Sequence, residues 1–142
     1  KKIDIPIVLL GGKMDVEKGR EIVNNLPEKN IINTCGKYSI SQSASIVKQS
    51  KLLITHDTGL MHIASAFNVQ IVSIWGNTVP ALGMYAYKPQ SPEMVSIHEV
   101  NNLSCRPCSK IGYKSCPKGH FDCMNKQDSD AIASDVNSSI KN

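Results

Sequence analysis

The stretch Leu52-Leu53-Ile54-Thr55-His56-Asp57-Thr58-Gly59-Leu60-Met61-His62-Ile63-Ala64-Ser65-Ala66-Phe67 changes its hydrophobic period partway along. Leu52 to Thr55 is a short, nearly continuous apolar run, the length of a buried strand. From Gly59 the period becomes helical: Leu60, Ile63, Ala64 and Phe67 fall at i, i+3, i+4 and i+7 and predict one buried face. Asp57-Thr58-Gly59 must then carry the chain directly from a strand end into a helix N-terminus.

The same alternation extends outward in both directions. Upstream, Ile5 to Leu10 reads as a strand ending in the tight turn Gly11-Gly12. A helix follows over Asp15 to Asn25, with acidic residues in its first turn, an Ile22–Val23–Leu26 stripe and Pro27 after its end. Ile31-Ile32 is a second short strand, and Ser41 to Gln49 a helix that Ser41 caps. Downstream, Ile71 to Trp75 is a strand, Gly76 to Pro92 a loop and Met94 to Ile97 a fifth strand. Leu103 to Met124 has no period and is expected to be irregular. A last helix begins near Asp128, with Asp128 or Ser129 as cap and Ile132, Val136 and Ile140 on one side. Strands alternating with helices predict an α/β fold, a parallel sheet with helices on both faces joined by right-handed crossovers. Ligands of such sheets bind beyond the carboxyl ends of the strands. Gly11-Gly12, His56 to Gly59 and Gly76-Asn77-Thr78 occupy those ends.

The chain has 142 residues, with 16 Lys plus Arg against 12 Asp plus Glu and a net charge of +4. That length fits one domain. The mild positive balance is not the dense basic tract of a nucleic-acid binder, so no nucleic-acid partner is expected. It suits an anionic small ligand or a membrane surface. No apolar run approaches the ~18 residues that cross a bilayer, and the start shows no signal-peptide core. The chain opens on Lys1 rather than Met, and the expectation is that it begins partway through a longer product.

Of the cysteines, Cys35 stands alone, while Cys105, Cys108, Cys116 and Cys123 cluster with His120 among them. One local cluster without a secretory signal fits a cytosolic protein better than a disulfide scaffold. Cys-x2-Cys, then Cys-x3-His-x2-Cys, supplies enough thiolates and imidazole for a tetrahedral structural zinc. One or two disulfides, or free thiols packed in a loop, are the other readings, and the spacing leaves all three open. His98 reads as a surface residue and Trp75 as core packing.

At the Asp57–His62 junction, the unpaired N–H groups of a helix start attract anions, and Gly59 permits close approach. The Thr58 hydroxyl adds a donor, and His62 lies off the apolar face. A capping residue before an exposed histidine is the plainer alternative for any one such turn.

The whole series of motifs is more specific. Asp57-Thr58-Gly59-Leu60-Met61-His62-Ile63-Ala64, followed by Ile74-Trp75-Gly76-Asn77-Thr78-Val79-Pro80, resembles glycosyltransferase family 9, which includes the ADP-heptose:lipopolysaccharide heptosyltransferases. The likeness reaches back to Gly11-Gly12 and forward through Cys105-Arg106-Pro107-Cys108 to Met124. It implies a Rossmann-like domain, the C-terminal, donor-binding half of the two-domain GT-B arrangement. Residues 1–100 would form the nucleotide-sugar core, 101–126 a cysteine-rich loop and 127–142 a terminal helix of the same domain. The resemblance implies that Thr58, Gly59 and Leu60 face the donor diphosphate, that His62 lies near it and that Asp57 shapes the loop. It places Gly12 and Asp15 toward the ribose, Tyr38 beside the adenine or ribose, and Thr78 near the diphosphate or the sugar. Transfer would need no cofactor. The catalytic base belongs to the N-terminal acceptor domain, so no catalytic residue is expected here and the chain alone is expected to be inactive. The implied donor is a nucleotide sugar, ADP-heptose, and the acceptor a lipid-linked glycan of the lipopolysaccharide core. The implied location is cytoplasmic, peripheral to the inner membrane. A non-catalytic zinc-bearing nucleotide-binding module and another GT-B enzyme using a UDP-sugar are the competing readings.

Overall fold

A computed structural model describes residues 5–141. They form ten helices and strands in the order β1 (Ile7–Leu9), α1 (Val16–Asn25), β2 (Ile31–Asn33), α2 (Ile40–Gln49), β3 (Leu52–Thr55), α3 (Gly59–Ser65), β4 (Gln70–Trp75), β5 (Val95–Glu99), α4 (Asp122–Asn125) and α5 (Ser129–Lys141). The expected parallel α/β layering is present, with its ladders in two pieces: β1–β2, and β3–β4–β5 with β4 in the centre. The chain divides into two compact units, and the boundary falls inside α2, between Ile46 and Val47.

In the first unit β1 and β2 run parallel, from Ile7 opposite Ile31 to Leu9 opposite Asn33. A 3-10 turn over Lys13–Asp15 leads into α1, and the Asp15 carboxylate accepts the Gly12 N–H at 2.8 Å. Gly19 lets α1 approach β2 closely, since a Cβ there would lie 2.5 Å from Asn33 Oδ1. Asn33 cannot easily give way: it donates to Val16 O at 3.3 Å and accepts from Cys35 N–H at 3.0 Å. The predicted α1 stripe stays half open at Ile22 and Leu26, because a two-stranded sheet offers little area to cover them. The α2 cap is Ser39, not Ser41. Ser39 Oγ accepts the Gln42 N–H and the Gln42 side chain accepts the Ser39 N–H, a reciprocal capping box.

The second unit holds the deeper core. Ile71, Val72, Ser73 and Trp75 of β4 are almost wholly buried, as the central strand of a covered parallel sheet requires. Val69, Met61 and Ala64 of α3, and Val136 of α5, join them. The prediction put Leu60 on the buried face, but the deepest α3 side chain is Met61. The helix is only seven residues long, so Phe67 falls outside it and the i+7 position never aligns the face. Ser73 stays satisfied inside the core, donating to Ser96 O and accepting the Trp75 indole N–H, both at 3.0 Å. The Asp128 carboxylate caps α5 through the Asp130 and Ala131 N–H groups. The helix then packs Ile132, Val136 and Ile140 inward and lies against β3 and β4. His98 is not a surface residue: it is largely buried and bonded to Asp135 of α5 at 2.8 Å. The cysteine-bearing segment is irregular except for α4, the single helical turn at Asp122–Asn125.

Candidate functional site

β3 ends at Thr55, and the next residues turn the chain sharply into α3. His56 Nδ1 donates to Ile74 O at 3.0 Å and ties this turn to the end of β4. Thr55 Oγ1 donates to His56 O at 2.9 Å and lies 3.1 Å from Thr58 Oγ1. A hydroxyl carries a single proton, so Thr58 is the donor of that second bond. Thr58 takes an extended backbone (φ −139°, ψ 164°) as the N-cap of α3, and its side chain caps no amide. The Gly59 and Leu60 N–H groups therefore open the helix without an intrahelical partner. A Cβ at Gly59 would meet nothing within 4 Å. Thr58, Gly59 and His62 are exposed, while Asp57 is half-buried and accepts the Thr78 hydroxyl at 3.2 Å. The sequence-predicted Asp57, Thr58, Gly59, Leu60, His62 and Thr78 all belong to this one corner of the second unit. There Thr78 is buried and its hydroxyl points at Asp57.

The remaining candidates belong to the first unit. The Gly36 N–H donates to Gly11 O at 2.9 Å, and Gly36 adopts φ 72°. That left-handed turn brings the segment leading to Tyr38 against Gly11–Val16. Gly12 and Asp15 are bonded to each other there, Tyr38 is half-exposed and Met14 is almost wholly exposed.

The residue that sequence reading passed over is Arg106. Its side chain is 5 % exposed and faces Glu99 Oε2 at 3.0 Å. It also donates to Val100 O at 2.7 Å, Thr78 O at 2.9 Å and Gly76 O. The loop after β4 is further held by Cys108 N–H to Asn77 O, Asn77 Nδ2 to Tyr113 O and Gln127 Nε2 to Trp75 O, each 2.9–3.0 Å. Arg106 appeared in the sequence only as a spacer between two cysteines, and two of the carbonyls it meets, Gly76 and Thr78, are about thirty residues away in the chain.

All five cysteines are free thiols. Among the described residues, no group of three or more His, Cys, Asp or Glu side chains is arranged to hold a metal ion. The zinc expectation is therefore unsupported. The Cys108 thiol donates to Cys105 O at 3.3 Å, and Cys116 Sγ accepts the Phe121 N–H at 3.4 Å. His120 Nδ1 accepts the Asp122 N–H at 2.9 Å, leaving Nε2 at 3.9 Å from Cys105 Sγ. Cys108, Cys116 and His120 Nδ1 are thus each engaged by nearby backbone. The Phe121 N–H holds the Cys116 thiol below the usual thiol range, whereas burial pushes Cys123 and Cys35 up.

Two shallow concavities, of 280 and 310 Å³, lie at Tyr85–Ile97 and along α1. Neither includes residues 57–62, which form an open turn rather than a closed pocket. Among the described residues no helix is long and apolar enough to cross a membrane.

The family model described as glycosyltransferase family 9 (heptosyltransferase) matches residues 2–116. A lipooligosaccharide heptosyltransferase 2 from Campylobacter jejuni is 32% identical over 121 residues, 83% of this chain and 36% of the relative. The chain thus spans little more than a third of that relative. Two solved structures share the fold. The glycosyl transferase family 9 protein of Veillonella parvula superposes with a TM-score of 0.73 at 22% identity, over 94% of this chain and 36% of the other. The ADP-heptose LPS heptosyltransferase II of E. coli does so at 0.57 and 24% identity, over 93% of this chain and 37% of the other.

Proposed function

The chain belongs to glycosyltransferase family 9, and on that premise we propose that it is the donor-binding domain of a sugar transferase, with the Asp57–His62 turn facing the diphosphate of a nucleotide sugar. The observation that carries the reading is the family match, which runs through a turn whose Gly59 side is open and whose first helical amides have no partner. In transfer, an acceptor hydroxyl oxygen bonds to the anomeric carbon as the bond from that carbon to the diphosphate breaks. The hydroxyl proton passes to a carboxylate base, and negative charge collects on the departing nucleotide diphosphate. Amides at a helix N-terminus, with Thr58 and His62 beside them, stabilise that charge without a metal. In this reading Asp57, fixed by Thr78, shapes the turn, while Gly12, Asp15 and Tyr38 serve the nucleoside.

The Campylobacter relative is named a lipooligosaccharide heptosyltransferase and the E. coli structure an ADP-heptose enzyme. Those names favour ADP-heptose as donor and a lipooligosaccharide or lipopolysaccharide as acceptor; in this reading the acceptor is a lipid-linked core glycan and the full-length enzyme acts at the cytoplasmic face of the inner membrane. The carboxylate base and acceptor surface belong, in this reading, to the part of the relatives that the chain does not span. The 142-residue chain then binds nucleotide but transfers no sugar. Calorimetric titration with ADP, UDP and GDP tests the assignment. ADP is expected to bind most tightly, and a clear preference for UDP would overturn it.

A further inference from the structure

The cysteine-bearing segment remains the most distinctive part of the sequence that neither the donor turn nor a metal explains. What it contributes to the second unit is Arg106. A guanidinium presents five N–H donors in a fixed fork and carries charge at every accessible pH. Here the fork is buried with Glu99 as its counter-charge, and its remaining donors reach the Gly76 and Thr78 carbonyls of the loop after β4 and the Val100 carbonyl after β5. One of those carbonyls belongs to Thr78, whose side chain donates to Asp57, which opens the turn before α3. The hydrogen bonds run from Arg106 through Thr78 to Asp57, the residue immediately before Thr58 and Gly59 in the chain.

We propose that Arg106 is a positioning residue for the donor turn: it clamps the loop after β4, and through the Thr78–Asp57 hydrogen bond it sets where the Thr58–Gly59 amides point. The cysteine-bearing segment then acts on nucleotide binding without touching the nucleotide. A site is only as well placed as the groups that hold its groups. The turn is also tied through His56 to Ile74 O and through Thr58 to Thr55, but neither bond reaches Asp57, and Thr58 and Gly59 are themselves exposed. Lysine cannot replace this arginine, because one ammonium cannot span the same set of carbonyls.

The functional consequence rests on the donor-binding reading, so the test separates the two. The 142-residue chain and its Arg106→Lys, Thr78→Val and Thr78→Ser variants are titrated with ADP, and the backbone amide NMR shifts of Thr58 and Gly59 are recorded without nucleotide. Arg106→Lys and Thr78→Val are expected to weaken ADP binding about tenfold and to move both amides. Thr78→Ser, which keeps the hydroxyl, is expected to restore both readouts. The double variant Arg106→Lys/Thr78→Val is expected to be no weaker than its worse parent, because the two act in series. Should Arg106→Lys fail to fold, the Thr78 pair still decides. Folded Thr78→Val with native ADP affinity and unmoved amides overturns the proposal, as does any shift confined to residues 75–78 and 100–108. If the unmodified chain binds no ADP, the donor reading fails, and the amide shifts alone decide the positioning role.

Discussion

The loop after β3 presents Thr58 and Gly59 to open space, while the loop after β4 has its carbonyls at Trp75, Gly76, Asn77 and Thr78 taken up by Arg106, Gln127 and Cys108. The two strands lie side by side and run parallel, Thr55 opposite Ser73, so both loops emerge at the same end of the sheet. One is open and the other is held from behind by residues far along the chain. Anion recognition by main-chain amides requires bare N–H groups and room for the ligand, which argues against packing that turn tightly. Placement must then come from neighbours: Ile74 O holds His56, and the Thr78–Asp57 bond joins the turn to the fixed loop.

The contrast is most directly broken at Arg106. Replacing it with Met leaves the half-buried Glu99 and several inward carbonyls without a partner, and removing one member of a buried ion pair costs about 3–5 kcal/mol. Urea denaturation is expected to show that loss, and a change under 1 kcal/mol would mean the clamp carries no stability. Gly59→Ala sharpens the contrast from the other side. The methyl meets no atom of the protein, and alanine favours a helix over glycine by up to ~1 kcal/mol. Stability is expected to hold or rise while ADP affinity falls about tenfold, because the methyl occupies the approach to the amides. Unchanged ADP affinity in Gly59→Ala would place the ligand elsewhere. The smallest effect lies in the thiols of the clamping segment. Cys116, held below the usual thiol range by the Phe121 N–H, is expected to alkylate with a half-maximal pH below the ordinary ~8.5, and Cys123, pushed up by burial, above it. Mass spectrometry of peptides alkylated across a pH series reads that order, and reversal would mean the segment is not packed as described.

The strands and helices were legible because each is short and its period is undiluted: β3, β4 and α5 fall close to where the pattern puts them. Met61 was not, because a two-turn helix gives too few residues to fix which side faces in. The α2 cap was legible in principle, since Ser39-x-x-Gln42 is a capping-box pattern, yet Ser41 one position inside drew the prediction. The Asp57–His62 turn was visible as a motif because its residues are local: a strand end, a threonine, a glycine and a histidine in succession. Arg106 was not visible, because what defines it is a set of carbonyls supplied by β4, its loop and Val100. No local pattern encodes those partners. The cysteine spacing left zinc, disulfides and free thiols open for a related reason: spacing does not say which way each sulfur turns.

The last helix has a consequence of another kind. α5 lies against β3 and β4, is bonded to β5 through His98 and Asp135, and receives Lys51 Nζ at Ile140 O. It is thereby the cover that keeps part of a strongly apolar parallel sheet from meeting a second copy of itself. Bared apolar sheet surface of this sort promotes self-association. Cover of that sheet surface thus depends on the thirteen residues of α5.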